Sequence, residues 1–241
     1  MFESIQKKWF VFVTILMLFS VAAGAQIIKG KTNKSIAEQA IIDLRDGALV
    51  LRLKSKHNKI TKLEELLAKP DIDEKDRKKL EKELANTIRE RDLFNTELVA
   101  SFVAHYKFSA IYFMYDTSSV VLKNGGKSGF LLDQDLKVDP EITITQDSFF
   151  VIYSGTLDVT DRTGLEALII LDCRFEIIPS PFPYYVKVNN FWSTLGRFFS
   201  PDKAIKKDAQ KIVPELENNL REYYKFTVEK WSNKGIPVDS H

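Results

Sequence analysis

The chain has 241 residues, with 35 basic and 33 acidic side chains and a formal net charge of +2. A charge this close to zero creates no overall field that attracts nucleic acid or an anionic membrane, so nucleic acid is excluded as an expected partner. The single Cys excludes an intramolecular disulfide, and stability has to come from packing, to which 17 Phe, 8 Tyr and 3 Trp contribute large side chains.

The N-terminal segment has the three parts of an export signal. Two lysines make its start positive, residues 9–21 are apolar and uncharged, and Ala23–Ala25 ends it with the small side chains that signal peptidase requires. We predict that residues 1–25 are a signal peptide. The mature protein then begins at Gln26 and is extracytoplasmic, either periplasmic or secreted.

The same segment leaves an uncleaved membrane anchor open as the alternative. Residues 9–28 are long enough to cross a bilayer, and the lysines that follow them blur the orientation signal. In this alternative the leader is the protein's only attachment to a membrane. A lipoprotein anchor is excluded, because the only Cys, Cys173, lies far downstream of the apolar run.

Residues 26–241 are predicted to form one α/β (or α+β) domain with a mixed β-sheet. Ser35 is predicted to cap a first helix over residues 36–44. Asp46-Gly47 then ends that helix, and the apolar run Ala48–Leu53 is the first strand.

A helical hairpin over residues 58–106 is predicted as an insertion between the first two strands. Pro70 divides it, because the residue before a proline is pushed out of the helical conformation. Apolar residues at helical spacing then continue along a second helix of about 30 residues, whose remaining surface carries mixed charge. The next strand, Ser109–Tyr115, is therefore expected to run parallel to the first. The hairpin is interpreted as a solvated helix pair, with a partner-binding arm as the alternative.

The second half of the chain is predicted to be richer in strands. Its apolar and β-branched runs place strands at residues 130–132, 142–144, 149–153 and 167–171. Asp172–Arg174 is predicted to be a tight turn into Phe175–Ile178, which makes an antiparallel hairpin with the strand before it. Three prolines then interrupt the sheet before an edge strand at residues 184–188.

The C-terminal part, residues 190–231, is predicted to be helical. Ser200-Pro201 has the residue types that start a helix, and Pro214 is predicted to bend or split the helix that follows. The aromatic segment Phe191–Phe199 is expected to pack beneath this helix. A membrane interface or a partner groove is the alternative for its rings.

One loop contains the end of a phosphate-binding motif. Gly126-Lys127-Ser128 matches its last three residues, but Val121 stands where the motif needs its first glycine. The motif also needs a strand before the loop and a helix after it, and the pattern here predicts the reverse. We therefore interpret it as a flexible glycine-rich loop and expect no nucleotide cofactor.

Cys173 is the only candidate thiol nucleophile, and catalysis by it would need a base close by. The chain offers only His57, His105 and His241 as imidazoles, and none stands in a catalytic motif. Three isolated His and one Cys also make no zinc cluster, so no metal is expected. Cys173 is interpreted as a structural or incidental thiol.

Aspartates in loops provide the remaining candidate chemistry. One acidic stretch lacks the spacing of a calcium loop and is interpreted as a solvated loop; it contains Asp133, Asp135, Asp139 and Glu141. Asp158, Asp161 and Asp172 lie near predicted strand ends, where paired carboxylates could act on a glycosidic bond. Loop aspartates are more often present because they stabilise turns.

Two segments behind the export signal carry a family resemblance. Gly47–Leu53, and Ala167–Asp172 leading to Pro181–Tyr185, resemble a group of uncharacterised exported proteins of Bacteroides-type bacteria. The resemblance implies a periplasmic or secreted bacterial protein and brings no catalytic residues with it. The order of a strand–helix–strand half and a hairpin half is also similar to that of thioredoxin-like proteins, but the Cys pair needed for their redox chemistry is missing.

The sequence therefore predicts an exported, non-catalytic α/β protein that binds an unknown protein or small-molecule partner or supports the envelope. An envelope hydrolase that uses loop carboxylates is the alternative. No catalytic residue is assigned.

Overall fold

The computed structural model describes residues 32–159, 162–187 and 201–237. The predicted signal peptide, Asp161, the side chain of Asp158 and the aromatic segment Phe191–Phe199 lie outside this described part. From Asn33 onward the chain belongs to one compact unit.

Helices and strands follow one another in an order that places all the long helices around a single sheet. They are α1 (Asn33–Asp46), β1 (Ala48–Leu53), α2 (His57–Leu67), α3 (Glu74–His105), β2 (Ala110–Tyr115), α4 (Ser119–Lys123), β3 (Leu131–Leu132), β4 (Phe149–Val159), β5 (Arg162–Leu171), β6 (Tyr185–Lys187) and α5 (Pro201–Ser232). A short 3₁₀ turn, Asp116–Ser118, joins β2 to α4.

The six strands form one mixed sheet in the order β3-β2-β1-β4-β5-β6. The central strand β1 is parallel to both β2 and β4, and every other pairing is antiparallel. The predicted α/β class, the mixed sheet and the helical hairpin between the first two strands are therefore confirmed. The long helical connection makes the parallel pairing of β1 with β2 possible.

Strand β1 is apolar because both faces of the sheet are covered. Leu49, Leu51 and Leu53 point to one face, where they join buried residues of α1, α3 and α5 in the main core. Ala48 and Val50 point to the other face and join a smaller core with residues of β2, α4 and the loops. Alternation along a strand puts Arg52 on this second face, at the carboxyl end of β1.

The hairpin of α2 and α3 follows the sequence prediction closely. The two helices pack against each other, and α3 also packs against α5. The side chain of Asp73 accepts a hydrogen bond from the Lys75 backbone N at 2.9 Å and so caps α3. Thus α3 begins just after the break that Pro70 predicted.

One helix-boundary prediction is wrong. The first helix begins at Asn33, so Ser35 lies inside α1 and does not cap it. The sequence predicts that Pro214 bends or splits the last helix; helix α5 is continuous from Pro201 to Ser232 with Pro214 inside it, so it is not split there. Val213 and Leu216 are fully buried on either side of this proline. Their packing holds the helix together although one backbone donor is missing.

The predicted hairpin around Asp172–Arg174 is also wrong. The tight turn forms, but the segment Phe175–Ile178 contributes only a single bridge, between Leu171 and Ile177. The antiparallel partner of β5 is β4, which extends to Val159. Phe175 has φ 67° and packs against the smaller core and against a third cluster formed by Leu157, Ala167, Ile169 and Leu171, which takes this segment out of strand geometry.

The outer predicted strands are shorter than expected. The strand at residues 130–132 is reduced to the two residues of β3, and the one at 142–144 to a single bridge between Ser128 and Thr143. At the other edge, β6 covers Tyr185–Lys187 within the predicted range 184–188. Within the described ranges, no helix has an apolar stretch of the length that spanning a bilayer requires.

Two carboxylates connect the helices to one another. Glu38 of α1 is 6% exposed and accepts hydrogen bonds from the ammonium of Lys230 and from the indole Nε1 of Trp231, both in α5. Glu217 of α5 accepts from the backbone amides of Lys107 and Phe108, at 2.9 and 3.0 Å. These amides lie between α3 and β2, so Glu217 stabilises the end of the crossover.

Candidate functional site

A cleft of about 450 Å³ opens at the carboxyl ends of the parallel strands β1 and β2. It is lined by the end of β1, the loop between β1 and α2, the first turn of α2 and the 3₁₀ turn after β2: Arg52, Ser55, Lys56, His57, Asn58, Lys59, Asp116 and Thr117. Ligands of α/β proteins typically bind at this edge of the sheet. The cleft is therefore our candidate functional site.

The β1–α2 loop is held from both sides. The Ser55 backbone N donates to Oδ1 of Asp116 at 3.1 Å, which connects the loop to the end of β2. The amide Nδ2 of Asn95, a fully buried residue of α3, donates to the carbonyl of Lys54 at 3.0 Å. These contacts fix the loop before any ligand binds, which reduces the entropy lost on binding.

Lys56 has a conformation that a lysine rarely adopts. Its φ is 55° and its ψ 19°, in the left-handed region, which is unfavourable for residues with a Cβ other than Asn and Asp. The carbonyl of Lys56 accepts from the Ile60 backbone N at 3.0 Å and so begins the hydrogen bonding of α2. Such local strain is concentrated at functional sites. The strained residue of this loop is also one of the cations of the cleft.

The start of α2 carries no compensating negative charge. Its first turn contains no acidic residue, and no side chain of the capping residue Lys56 bonds to it. The His57 backbone N donates to Oγ of Ser55 at 3.2 Å. The partial positive charge of a helix N-terminus favours anions, and here it lies beside basic side chains.

Basic side chains outnumber acidic ones around the cleft. Arg52, Lys56 and Lys59 line it with Asp116 as the only acid among the lining residues, whereas the whole chain is nearly balanced. Lys59 also forms an ion pair with Glu83 at 2.6 Å, in which both side chains are half exposed. An exposed pair of this kind contributes little and leaves Lys59 able to turn to a ligand.

Arg52 is the most constrained of these cations. Its guanidinium carbon lies 5.5 Å from the centre of the Tyr153 ring in β4, within the range of a cation–π contact. Its Nε is buried and has no hydrogen-bond partner within the described residues. An unused buried donor is costly unless a ligand accepts from the same group.

Lys54 increases the positive potential beside the cleft. Desolvation and then repulsion from Lys56 lower the pKa of its ammonium, and the attraction of Glu166 and Asp116 compensates only in part. Repulsion between Lys54 and Lys56 means that the two ammonium groups are close enough to interact electrostatically. A bound anion would relieve this repulsion.

The cleft contains the residue types of a serine-hydrolase triad but not its contacts. Ser55, His57 and Asp116 all line it. However, Oγ of Ser55 accepts from the backbone of His57, and Asp116 accepts from the backbone of Ser55. In a triad the imidazole connects the hydroxyl and the carboxylate. These three residues instead hydrogen-bond to stabilise the loop.

The glycine-rich loop proposed from sequence has the reverse element order of a phosphate-binding loop. It follows helix α4 and precedes strand β3. The ammonium of Lys127 donates to the carbonyl of Gln146 at 2.9 Å, and Ser128 forms the bridge with Thr143. Lys127 and Ser128 therefore stabilise the packing of this loop against the segment before β4.

The loop aspartates stabilise their own turns. Oδ1 of Asp133 accepts from the backbone amides of Asp135 and Lys137, and Asp139 accepts from that of Glu141. Oδ1 of Asp172 likewise accepts from the amides of Arg174 and Glu176, and its Oδ2 accepts from the Arg174 guanidinium. Across the described ranges, no three His, Cys, Asp or Glu residues are grouped in a way that could hold a metal ion.

Cys173 is exposed in the turn after β5. We expect its thiol to react with a thiol reagent in the native protein as fast as in denaturant, because nothing covers it. The measurement is the rate of colour release from an aromatic disulfide, and a Cys173→Ser variant is the blank. Slow reaction that becomes fast on unfolding would show that the thiol is protected.

Sequence analysis did not identify this cleft, although it contains a signal for it. Arg52 is the one charged residue in the run Ala48–Leu53, and three lysines and a His follow within six residues. A cation that interrupts the end of a buried strand points to the carboxyl edge of a sheet.

The chain matches no protein-family model, no curated protein and no solved structure.

Proposed function

We propose that the protein is an exported, non-catalytic binding protein, periplasmic or secreted, that holds an anionic group in the cleft at the carboxyl ends of β1 and β2. One observation carries the proposal: three basic side chains and the N-terminus of α2, whose first turn has no acidic residue, line one cavity in a chain whose charge is otherwise balanced. The fixed loop supports binding, because the cations are positioned in advance.

Binding is favoured over catalysis by the hydrogen bonds in the cleft. The Ser55 hydroxyl and the Asp116 carboxylate each accept from a backbone amide, and these contacts do not include the His57 imidazole, which a triad needs between them. The envelope hydrolase remains a prediction that depends on Asp158 and Asp161. The described loop aspartates give it no support, because their carboxylates bind the amides of their own turns.

The test is a calorimetric titration of the purified protein with sulfate, phosphate and acetate at low ionic strength. We expect at least one anion to bind, with affinity that falls as salt is added. Replacing Arg52 with Gln and Lys56 with Asn should weaken that binding about tenfold or more, a loss of about 1.4 kcal/mol or more.

Matched variants separate binding from folding. Lys56→Asn alone removes a charge but keeps a residue that tolerates the left-handed conformation. Lys78→Asn removes an equally basic side chain from the exposed face of α3, where it pairs only with Glu74. Binding that is unaffected by the cleft variants, or equally weakened by Lys78→Asn, would contradict the proposal.

The export signal makes a separate prediction. We expect protein recovered from the producing cells to begin at Gln26, because the small residues before it fit the signal peptidase. Intact-mass measurement and N-terminal analysis check this. A retained Met1 with the protein in the membrane fraction would support the uncleaved anchor instead.

A further inference from the structure

We infer that the ligand of this cleft carries a phosphomonoester, a dianionic head group attached to a larger organic remainder. This inference rests on the proposed function, because it names the ligand class of the same cleft. Two sources share this chemistry: a free phosphorylated small molecule and the head group of a phosphorylated lipid.

The charge of the cleft matches a dianion. Arg52, Lys56 and Lys59 line it against the single carboxylate of Asp116, and Oδ1 of that carboxylate already accepts from Ser55. A phosphomonoester carries about −1.5 to −2 at pH 7. A monocarboxylate or a sulfate ester carries one charge and would leave part of the positive charge uncompensated. A dicarboxylate divides its two charges between separate groups.

The donors also suit a tetrahedral oxyanion. The guanidinium of Arg52 makes a cation–π contact with Tyr153, and a guanidinium suits phosphate because it can donate two parallel hydrogen bonds. The first turn of α2 adds backbone amides at the positive end of a helix, a common phosphate site. Lys56 and Lys59 then supply charge on either side of that turn.

The size of the cleft indicates an organic remainder. A volume of about 450 Å³ is within the range typical of small-molecule sites and is much larger than a bare tetrahedral anion needs. Beyond the cations, the lining includes the polar side chains of Asn58 and Thr117. These groups can hydrogen-bond to hydroxyl groups of a ligand, as in a glycerol or sugar phosphate.

The pH dependence of binding separates a phosphomonoester site from a general anion site. A phosphomonoester loses its second charge near pH 6, whereas sulfate keeps both charges. The ionisable groups in and around the cleft are those of Arg52, Lys54, Lys56, His57, Lys59, Glu83, Arg91, Asp116 and Glu166. A change in the charge of any of them alters the binding of both dianions in the same direction. The ratio of the two affinities therefore reports mainly the charge of the ester itself.

The experiment is a calorimetric titration of the purified protein with glycerol 1-phosphate, inorganic phosphate, sulfate and acetate. Sedimentation with phosphatidylcholine vesicles, with and without phosphatidic acid, tests the lipid source. We expect a phosphomonoester, free or in vesicles, to bind at least about tenfold more tightly than acetate because of its second charge, and more tightly than sulfate because its organic remainder also contacts the polar lining of the cleft. Between pH 7.5 and 5.5 the preference of the soluble ester over sulfate should decrease, and Lys56→Asn should weaken the binding of the ester.

Each outcome decides between the two proposals. Binding of glycerol 1-phosphate assigns the site to a free ligand, and binding only to phosphatidic acid vesicles assigns it to a lipid head group; both support the inference. Equal affinity for sulfate, acetate or inorganic phosphate overturns the inference and leaves the anion-binding function in place. If no anion binds in either format, both proposals fail.

Discussion

Replacing Glu38 with Ala is expected to lower the free energy of unfolding by about 3 kcal/mol. Glu38 is almost fully buried between α1 and α5 and accepts from both Lys230 and Trp231. Its removal leaves the ammonium of Lys230, which is only 20% exposed, without a partner. Denaturant unfolding followed by circular dichroism measures the change.

A double variant tests whether the unpaired charge is the cause. Glu38→Gln combined with Lys230→Met removes both charges and keeps an acceptor for the Trp231 indole, so most of the lost stability should return. Glu74→Ala breaks the exposed pair with Lys78 and serves as the surface control, with a loss of at most about 1 kcal/mol expected, because Glu74 also lies in the first turn of α3. If the double variant were as unstable as Glu38→Ala, lost packing would be the cause and not the unpaired charge.

The same pair gives the protein a defined acid response. Burial raises the pKa of Glu38. The hydrogen bonds from Lys230 and Trp231 and the charge of Lys230 together lower it by more, so the net pKa lies below its ordinary value. A carboxyl whose pKa is lower in the folded state stabilises the fold above its unfolded pKa, near pH 4.3, and loses this contribution as the pH falls through the folded value. Glu38→Gln should therefore flatten the fall in stability below about pH 4.3.

Replacing Glu217 with Ala is expected to cost about 2 kcal/mol. Its carboxylate accepts from the backbone amides of Lys107 and Phe108. In the variant, the buried side chain of Phe108 keeps water from fully replacing the carboxylate as the acceptor for these amides. The ion pair with Arg221 is lost as well. Urea unfolding of the variant and the parent protein gives the difference.

Two other exchanges in the same helix complete this test. Glu217→Gln keeps an acceptor oxygen and should cost less than Glu217→Ala. Glu215 lies two residues before Glu217 in the same helix and is exposed. Glu215→Ala should leave stability unchanged, because in the described part of the chain no contact of its carboxylate joins the helix to the crossover. Equal losses for Glu215→Ala and Glu217→Ala would mean that helix charge, and not the contact with the crossover, determines the effect.

The elements that sequence predicted well are those set by local patterns. The apolar run Ala48–Leu53 is a strand with the bounds that were predicted, because it is covered on both faces. The helical spacing after Pro70 likewise identified α3, whose apolar stripe packs on the sheet and on α5. In both cases the residues that decide the structure are neighbours in the chain.

The wrong predictions concern choices between distant partners. Leu171 could pair with the segment after the turn or with β4, and local sequence favoured the turn. The structure pairs it with Val151 and leaves Ile177 a single bridge. The first part of β4 supplies an apolar partner in which Phe150, Val151 and Ile152 are buried, whereas Phe175 and the prolines weaken the alternative. Choosing between these two partners of Leu171 requires residues that are too far apart in the chain for a local sequence pattern to include them.

The candidate site was missed for a similar reason. Lysines between β1 and α2 normally indicate a solvated loop, and Asp116 and Thr117 are far away in sequence. Only the parallel pairing of Leu53 with Tyr115 brings these two segments to one edge of the sheet. The anchors Asn95 and Asp116 are single polar residues in unremarkable positions, and their roles depend on the packing of α3 and β2 against the loop.

The central position of β1 has a consequence for how the chain acquires its structure. Ala48 pairs with Ala110 on one side and with Phe149 on the other, so the partners of the first strand are about 60 and about 100 residues downstream, and pairings this distant slow folding. The middle of the sheet therefore cannot be completed until more than half of the polypeptide is available. Such a delay keeps a newly made chain unfolded for longer, which is the state that the proposed export through a narrow secretion channel would require.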